Sequence, residues 1–413
     1  MSAPPPLAHN PNFHRLWSAR AISRFGSSLG YVALLWLTFA ETNSALAVAY
    51  VGLAGFVPTI VVGIFSGALV DRFERRRVIV LSTLGRSAAM GALVLLLYVG
   101  GFHLAFVLVA SLVFSACATF FAPGSQALLP EIVDRGSLAN ANGLFESTEA
   151  IAGIAGNGLG GGLVLAVGAV PTLGIDAASY LVGAILVALI AVAAASPRPS
   201  DGGSRPRMWD EVREGFAYLR NAVALFELTM LALVLNFLIS VLLTFIVVYS
   251  TSLLHGSAVV YGLLEACLAG GYGVGALLVG RFGLTRHTGA VWIYSTFAQG
   301  ALLVLMVLVA RVPVALPAFL AFGVLQGLAN VTWLSSVQAT VPERLQGRYF
   351  AIDNALSYAA IPLAQIVGGV LIAFYGVSPT LLAVGLATLA AGVGALFLRE
   401  LRQYGYDPSA RTA

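Results

Sequence analysis

Lysine is missing from this sequence altogether, and charge of either sign is scarce. Its 22 basic side chains are all arginine, and with 18 acidic ones they make up 10% of 413 residues. Codon bias accounts for the choice of arginine as well as any function does. Cys117 and Cys267 are the only cysteines, and both fall in long apolar runs, where small packing groups are expected and a disulfide or metal pair is not. No GxxxxGK[ST] loop, no HExxH set and no polar segment long enough for a nucleotide-hydrolysing domain occurs, so ATP-driven work has no residues to stand on and an intramembrane enzyme is not expected. What is present in excess is apolar mass, 59% of the chain, with a mean hydropathy of +0.91. A water-soluble domain has too little interior for it. The expected solvent is lipid.

A helix crosses bilayer hydrocarbon with roughly 17 to 25 mostly apolar residues. Runs of that length begin near Phe25, Ala45, Val78, Leu104, Leu144, Thr172, Ala222, Ala258, Ala290, Pro313, Phe350 and Thr380. Barrel strands would be about ten residues of alternating polarity, which these continuous runs are not. The expected fold class is all-α and polytopic, with twelve transmembrane helices. Arginines gather before span one, after spans two, four, six, eight, ten and twelve, and at Arg86 early in span three; only Arg311 falls on the other side. By the positive-inside rule both termini lie in the cytoplasm of an inner-membrane protein, and the formal charge of +4 needs no nucleic-acid partner. The Pro-rich start "MSAPPPLAHNPNFHRLW" lacks the layout of a cleaved signal, leaving span one as the insertion signal.

One long polar segment, "SPRPSDGGSRPR" (196–207), separates six spans from six. Trp209, Val212, Phe216 and Leu219 follow at helical spacing among charged residues, as in an interfacial helix. The expected division is 1–195, a linker with that helix over 196–221, and 222–413. The halves repeat: "QALLPE" (126–131) ends span four and "QATVPE" (338–343) ends span ten, while "GALVDRF" (67–73) and "GALLVGRF" (275–282) close spans two and eight. Parallel six-helix repeats of this kind belong to secondary transporters.

These residues carry a resemblance to the major facilitator superfamily over nearly the whole chain, and within it to the drug and siderophore efflux branch. "GALVDRFERRR" (67–77) resembles the loop signature Gly-x-Leu-x-Asp-Arg-x-Gly-Arg-Arg, with Glu74 at its second glycine. "FFAPGSQALLPEIVDRGSLANANGL" (120–144) and "GIDAASYLVGA" (174–184) resemble the efflux branch, and "GNGLGG" (156–161) its Gly-Pro-x-x-Gly-Gly exporter signature, with Asn157 at the proline. The resemblance implies two six-helix bundles about a cavity lined by spans one, four, seven and ten, opening alternately to each side. It also implies that the turn after span two meets span eleven, where Asp71, with Arg72, Arg75 and Arg76 around it, would pair with Arg348 as a gate. Transport would be the work of a functional monomer without a cofactor.

Polar stripes at i, i+4 spacing fall on the same four spans: Arg24, Ser28 and Tyr31; Ser111, Ser115 and Thr119; Asn236, Ser240 and Thr244; Gln326, Asn330 and Trp333. In lipid such stripes face protein or water, so each serves either helix-to-helix bonding or a cavity. With Phe121 and Asn157 nearby and no cluster of basic residues deep in the helices, the lining suits a hydrophobic or amphipathic solute. Arg20 is expected to snorkel to the interface. Ion coupling is then the energy source, and an intramembrane carboxylate, which costs roughly 2.5 to 3.5 kcal/mol on insertion scales, is its natural proton carrier. Glu149 and Glu265 lead the candidates. Glu146 reads alternatively as a helix-start charge, Asp353 in the same way, Asp176 as a cap, and Glu265 as an acid bonded to Tyr261. Proton antiport of a small molecule is the expectation, against uptake symport or a sensor that transports nothing.

Overall fold

Residues 7–191, 216–217, 219–282 and 284–405 are described by the computed structural model, apart from the side chains at 8, 64–72, 135, 139, 280, 343–344, 347–348, 351, 354–355 and 357–359. Among them there is no strand. Backbone polar groups in lipid must bond within their own segment, and helices do that. The first half contains α1 (Pro11–Thr42), α2 (Ala45–Arg72), α3 (Arg75–Gly100), α4 (Leu104–Ala118), α5 (Phe121–Ile132), α6 (Leu138–Val167) and α7 (Ala169–Ala188). The second contains α8 (Val223–Thr244), α9 (Ile246–Ser252), α10 (Ala258–Phe282), α11 (Thr288–Val309), α12 (Val312–Thr340), α13 (Glu343–Tyr375), α14 (Val377–Ala395) and α15 (Arg399–Gln403).

Ten stretches among the described residues are long and apolar enough to cross a membrane, and α4 with α5 forms one of them, Leu104–Ile132. The break between α4 and α5 sits one turn before Pro123, whose ring cannot accept the carbonyl four residues earlier in a regular helix. The 32-residue α1 and the apolar end of α13, Ala360–Tyr375, supply the other two crossings of a twelve-span chain.

Local chemistry sets the ends. Asn10 caps α1 by accepting from the backbone N–H groups of Asn12 and Phe13 at 3.1 Å, and its own Nδ2 donates to the Ile132 carbonyl at 2.6 Å, tying the start of α1 to the end of α5. Two turns repeat each other. "GAVPT" (168–172) and "GVSPT" (376–380) each place glycine at positive φ (93° and 85°), proline three residues on, and a threonine whose hydroxyl donates back to the glycine carbonyl at 2.8 Å. This is a further repeat between the halves, at the hairpins joining spans five to six and eleven to twelve.

By contacts the chain divides into two units: Met1–Ser200 with Gly256–Ala266, and Asp201–His255 with Cys267–Ala413. The start of α10 thus packs with the first unit. The core of that unit gathers Phe13, Leu16, Ile79, Leu128, Ile132 and Phe145, with the Phe13 and Phe145 rings stacked at 5.5 Å. The polar segment at 196–207 lies outside the described residues, as does most of the expected interfacial helix. Leu219, from its end, is fully buried against Val337, Val341, Leu345 and Tyr349 in the core of the second unit.

Candidate functional site

The second unit encloses a cavity of about 250 Å³ between α8, α10, α11, α12 and α13. Helical spacing builds its walls. Gln326, Ala329, Asn330 and Trp333 face it from α12, and Trp292, Ser295, Thr296 and Gln299 from α11, each set at i, i+3, i+4, i+7. Asn236 enters from α8, Tyr272 from α10 and Asp353 from α13. Asn330 donates to the Tyr272 hydroxyl, the Trp292 ring N–H donates to the Ala329 carbonyl at 2.8 Å, and the Trp333 ring N–H donates to the Tyr349 hydroxyl at 3.3 Å. Tyr349 also bonds Thr229 at 3.1 Å and has Asp353 within hydrogen-bonding reach, one turn along α13. Asp353 is 5% exposed and Gln299 2%, and the Gln299 side-chain oxygen has no hydrogen-bond partner among the described residues.

Glycine sets the position of the Tyr272 wall. Gly271 and Gly275 of α10 face Leu320 and Val324 of α12, while Gly323 and Gly327 of α12 face Leu268 and Tyr272; a methyl at any of the four would overlap the opposing backbone carbonyl. Two small-xxx-small faces therefore pack backbone to backbone.

Of the predicted cavity residues, Asn236, Gln326, Asn330 and Trp333 are brought together here, with Asp353. Ser240 and Thr244 are buried on α8 but are not among the lining residues. In the first unit the stripes resolve the other way. Ser115 donates to the Gly55 carbonyl at 2.5 Å and lies 3.2 Å from the Thr59 hydroxyl, Thr119 donates to the Ser115 carbonyl, and Ser28 is packed against Gly156. The hydroxyls of Ser115 and Thr119 join helices or bond within their own turns, which satisfies them in lipid as fully as a cavity would, whereas Ser111 of the same stripe is buried with its hydroxyl unpartnered among the described residues. Ser28 also completes the letters G-x-S-x-G in "GSSLG" (26–30). That run lies inside the continuous α1 and not at the strand-to-helix turn that exposes a nucleophile. Tyr31 is exposed, Arg24 is exposed beside Gly153, and Asn157 is half-buried with its carbonyl against Gly262.

The buried charges correct several expectations. Arg86, counted with the cytoplasmic arginines, lies eleven residues, about 16 Å, along α3 from Arg75 and is 6% exposed. Its guanidinium sits 4.5 Å from the ring centres of both Phe121 and Tyr180, so Phe121 is a stacking partner. Asp176 is no cap: α7 starts at Ala169, with Gly168 at its cap position, and the carboxylate is buried two turns in. One oxygen of Asp176 and Nε of Arg86 have no hydrogen-bond partner among the described residues. Tyr180 bonds Ser27 at 2.5 Å and stands between these two charges, and Gly30 makes the space that Asp176 occupies. No reading of the sequence picked out Arg86, because an arginine ten residues from a basic turn looks like part of that turn.

Arg20 turns inward and does not snorkel. It meets Glu149 at 2.5 Å, donates to Ser125 at 2.9 Å and lies over the Phe145 ring at 4.4 Å. Glu149 is therefore a paired carboxylate. Glu146 does not start a helix, since α6 begins at Leu138; it is exposed in the third turn. Glu265 is 8% exposed, one turn after the buried Tyr261, and one of its oxygens has no hydrogen-bond partner among the described residues. Around it the "GNGLGG" run of α6 packs on α1 through Gly156 and Gly160, and on the start of α10 through Gly158 and Gly161. Arg75 pairs with Glu131 and donates to the Ala127 carbonyl at 3.0 Å, Arg76 donates to the Ile190 carbonyl at 2.9 Å, and Arg77 meets Glu74 at 2.5 Å. Arg75 and Arg76 thus join the start of α3 to the ends of α5 and α7 within the first unit, while the Arg77 pair stays within the start of α3. The side chains of Asp71, Arg72 and Arg348 lie outside the described residues.

Twelve crossings, an internal repeat and carboxylates held inside the membrane define a polytopic transporter fold. The same fold is found in the solved nucleoside transporter NupG, with a TM-score of 0.74 over 94% of this chain and 98% of that one at 12% identity. Residues 1–411 match the family model described as transmembrane secretion effector, and the chain belongs to that family of the major facilitator superfamily. It is 26% identical to the multidrug efflux pump Tap of Mycolicibacterium fortuitum over 92% of this chain and 93% of that protein. To macrolide efflux protein A of Streptococcus pyogenes it is 24% identical, over 95% and 96%. The protein is a multi-pass membrane transporter.

Proposed function

We propose that this transporter exports a hydrophobic or amphipathic small molecule by proton antiport, through alternating access. The observation that carries the reading is the similarity, along more than nine-tenths of each chain, to proteins named as multidrug and macrolide efflux pumps. A cavity walled by indole, phenol and amide groups supports a solute of that chemistry. Both termini are taken to be cytoplasmic on the arginine distribution, from which Arg86 is now removed.

Coupling rests on Glu265 and Asp176. A carboxylate buried among apolar helices is costly while charged, and a proton removes that cost; Glu265 makes no ion pair among the described residues, and Asp176 meets Arg86 only across Tyr180. Glu149, neutralised by Arg20, has less need of one. In the proposed cycle a solute enters from the cytoplasm or inner leaflet, and protonation from outside favours its release and the return stroke. Each ligand biases the cycle only by its differential affinity for the two states. Asp71 and Arg348 form the proposed cytoplasmic latch, built from contacts of about 0.3 to 1 kcal/mol each, weak enough to break in every turnover.

Whole cells lacking their own pumps test the reading. Cells expressing the chain should hold less of an amphipathic dye or antibiotic than vector controls, and an uncoupler should erase the difference. Equal accumulation across a broad panel would sink the exporter reading.

A further inference from the structure

We propose that the cavity of the second unit is a recognition site for a substituted ammonium head group, with Asp353 as its counter-charge and Trp292, Trp333 and Tyr272 as its walls. The claim that such a ligand is carried across the membrane rests on the exporter reading; the claim that it binds does not.

Asp353 opens onto the cavity while almost wholly withdrawn from solvent. Among the described residues no basic side chain comes within ion-pair distance of it, and the group within reach is the neutral hydroxyl of Tyr349. A carboxylate so placed has no cation among the described residues. The rest of the lining is neutral and carries no basic side chain. Asn236, Gln299, Gln326 and Asn330 add neutral amides to the cavity wall, and the Gln299 oxygen is buried without a donor among the described residues. An anionic solute would meet Asp353 and gain no described positive charge in return. Two indoles and a phenol on the same surface offer the π faces on which substituted ammonium groups are held. At about 250 Å³ the cavity falls below the ~300–1,000 Å³ common for drug-sized ligands, so it takes a head group, with the remainder of a larger solute outside.

Full-length protein in lipid nanodiscs, titrated calorimetrically with benzyltrimethylammonium and with the neutral N,N-dimethylbenzamide, tests the assignment. The cation should bind at least about tenfold more tightly. Asp353→Asn should weaken it by about 30-fold or more while holding the neutral probe within about twofold, which also reports an intact cavity. Should that variant fail to fold, Trp333→Leu is expected to weaken the cation about tenfold more than the neutral probe. Equal binding of both probes, a preference that survives Asp353→Asn, or equal losses in Trp333→Leu would overturn the proposal. Intact cation preference without gradient-driven flux would remove the exporter reading alone. Flux of neutral solutes with no cation preference would remove this site alone.

Discussion

Replacing Arg86 by methionine keeps an unbranched chain as far as the position of Nε and removes the rest of the guanidinium, with its charge, from the interior of the first unit. Asp176 then loses the guanidinium that stands across Tyr180, and the Phe121 and Tyr180 rings lose their cation. Breaking a buried charge pair from one side costs about 3 to 5 kcal/mol, because the remaining charge has neither water nor partner. Asp176→Asn should cost a similar amount. If the two losses were independent, the double variant would lose roughly twice as much, about 6 to 10 kcal/mol. It should instead lose no more than either single variant, since no uncompensated charge is left. For a unit of this size, 1 kcal/mol corresponds to about 2 to 4 °C in unfolding midpoint. Scanning fluorimetry of purified protein in detergent should therefore register a drop of roughly 6 to 20 °C for each single variant and no further drop on combining them. A double variant whose shift equals the sum of the singles would show that Arg86 and Asp176 are not coupled. A shift below about 2 °C in Arg86→Met would show that the guanidinium is not held as described.

Other perturbations separate structure from transport. Gly327→Val drives a side chain into the Tyr272 carbonyl and should cost about 1 to 3 kcal/mol by thermal unfolding, whereas Gly270→Ala, which faces open space, should be neutral within about 0.5 kcal/mol. Glu149→Gln should retain gradient-driven transport, and Glu265→Gln should lose it at equal expression; the reverse result would move the coupling site to the Arg20 pair. Asp71→Asn should impair transport with expression and topology unchanged, and near-normal flux would leave the turn after span two as an orientation signal only.

The crossings were legible because lipid asks one thing of a segment, a long apolar run, and asks it twelve times. The cavity was legible in part. Gln326, Asn330 and Trp333 share a helical face by spacing alone, and so do Trp292, Ser295, Thr296 and Gln299 in "WIYSTFAQ" (292–299), a stripe of equal regularity on a helix not expected to line a cavity. Spacing names a face but not what the face meets. Ser28 and Ser115 therefore read like cavity residues, although a neighbouring glycine or carbonyl takes up each of them. Helix starts misled for Glu146, Asp176 and Asp353, since α6, α7 and α13 begin earlier than the apolar runs that mark them. Sidedness rules also count arginines without regard to depth, which hid Arg86. The "GNGLGG" run points to close packing whichever partner it has; only the fold identifies α1 on one face and the start of α10 on the other.

Everted membrane vesicles measure the central claim most directly. With an inside-acid gradient imposed and no ATP supplied, vesicles carrying the chain should accumulate solute against its gradient, and an uncoupler should release it at once. Glu265→Gln vesicles should take up no more than controls. Accumulation indifferent to the uncoupler, or wild-type vesicles as inert as controls over the same panel that cells are tested with, would contradict proton-driven export.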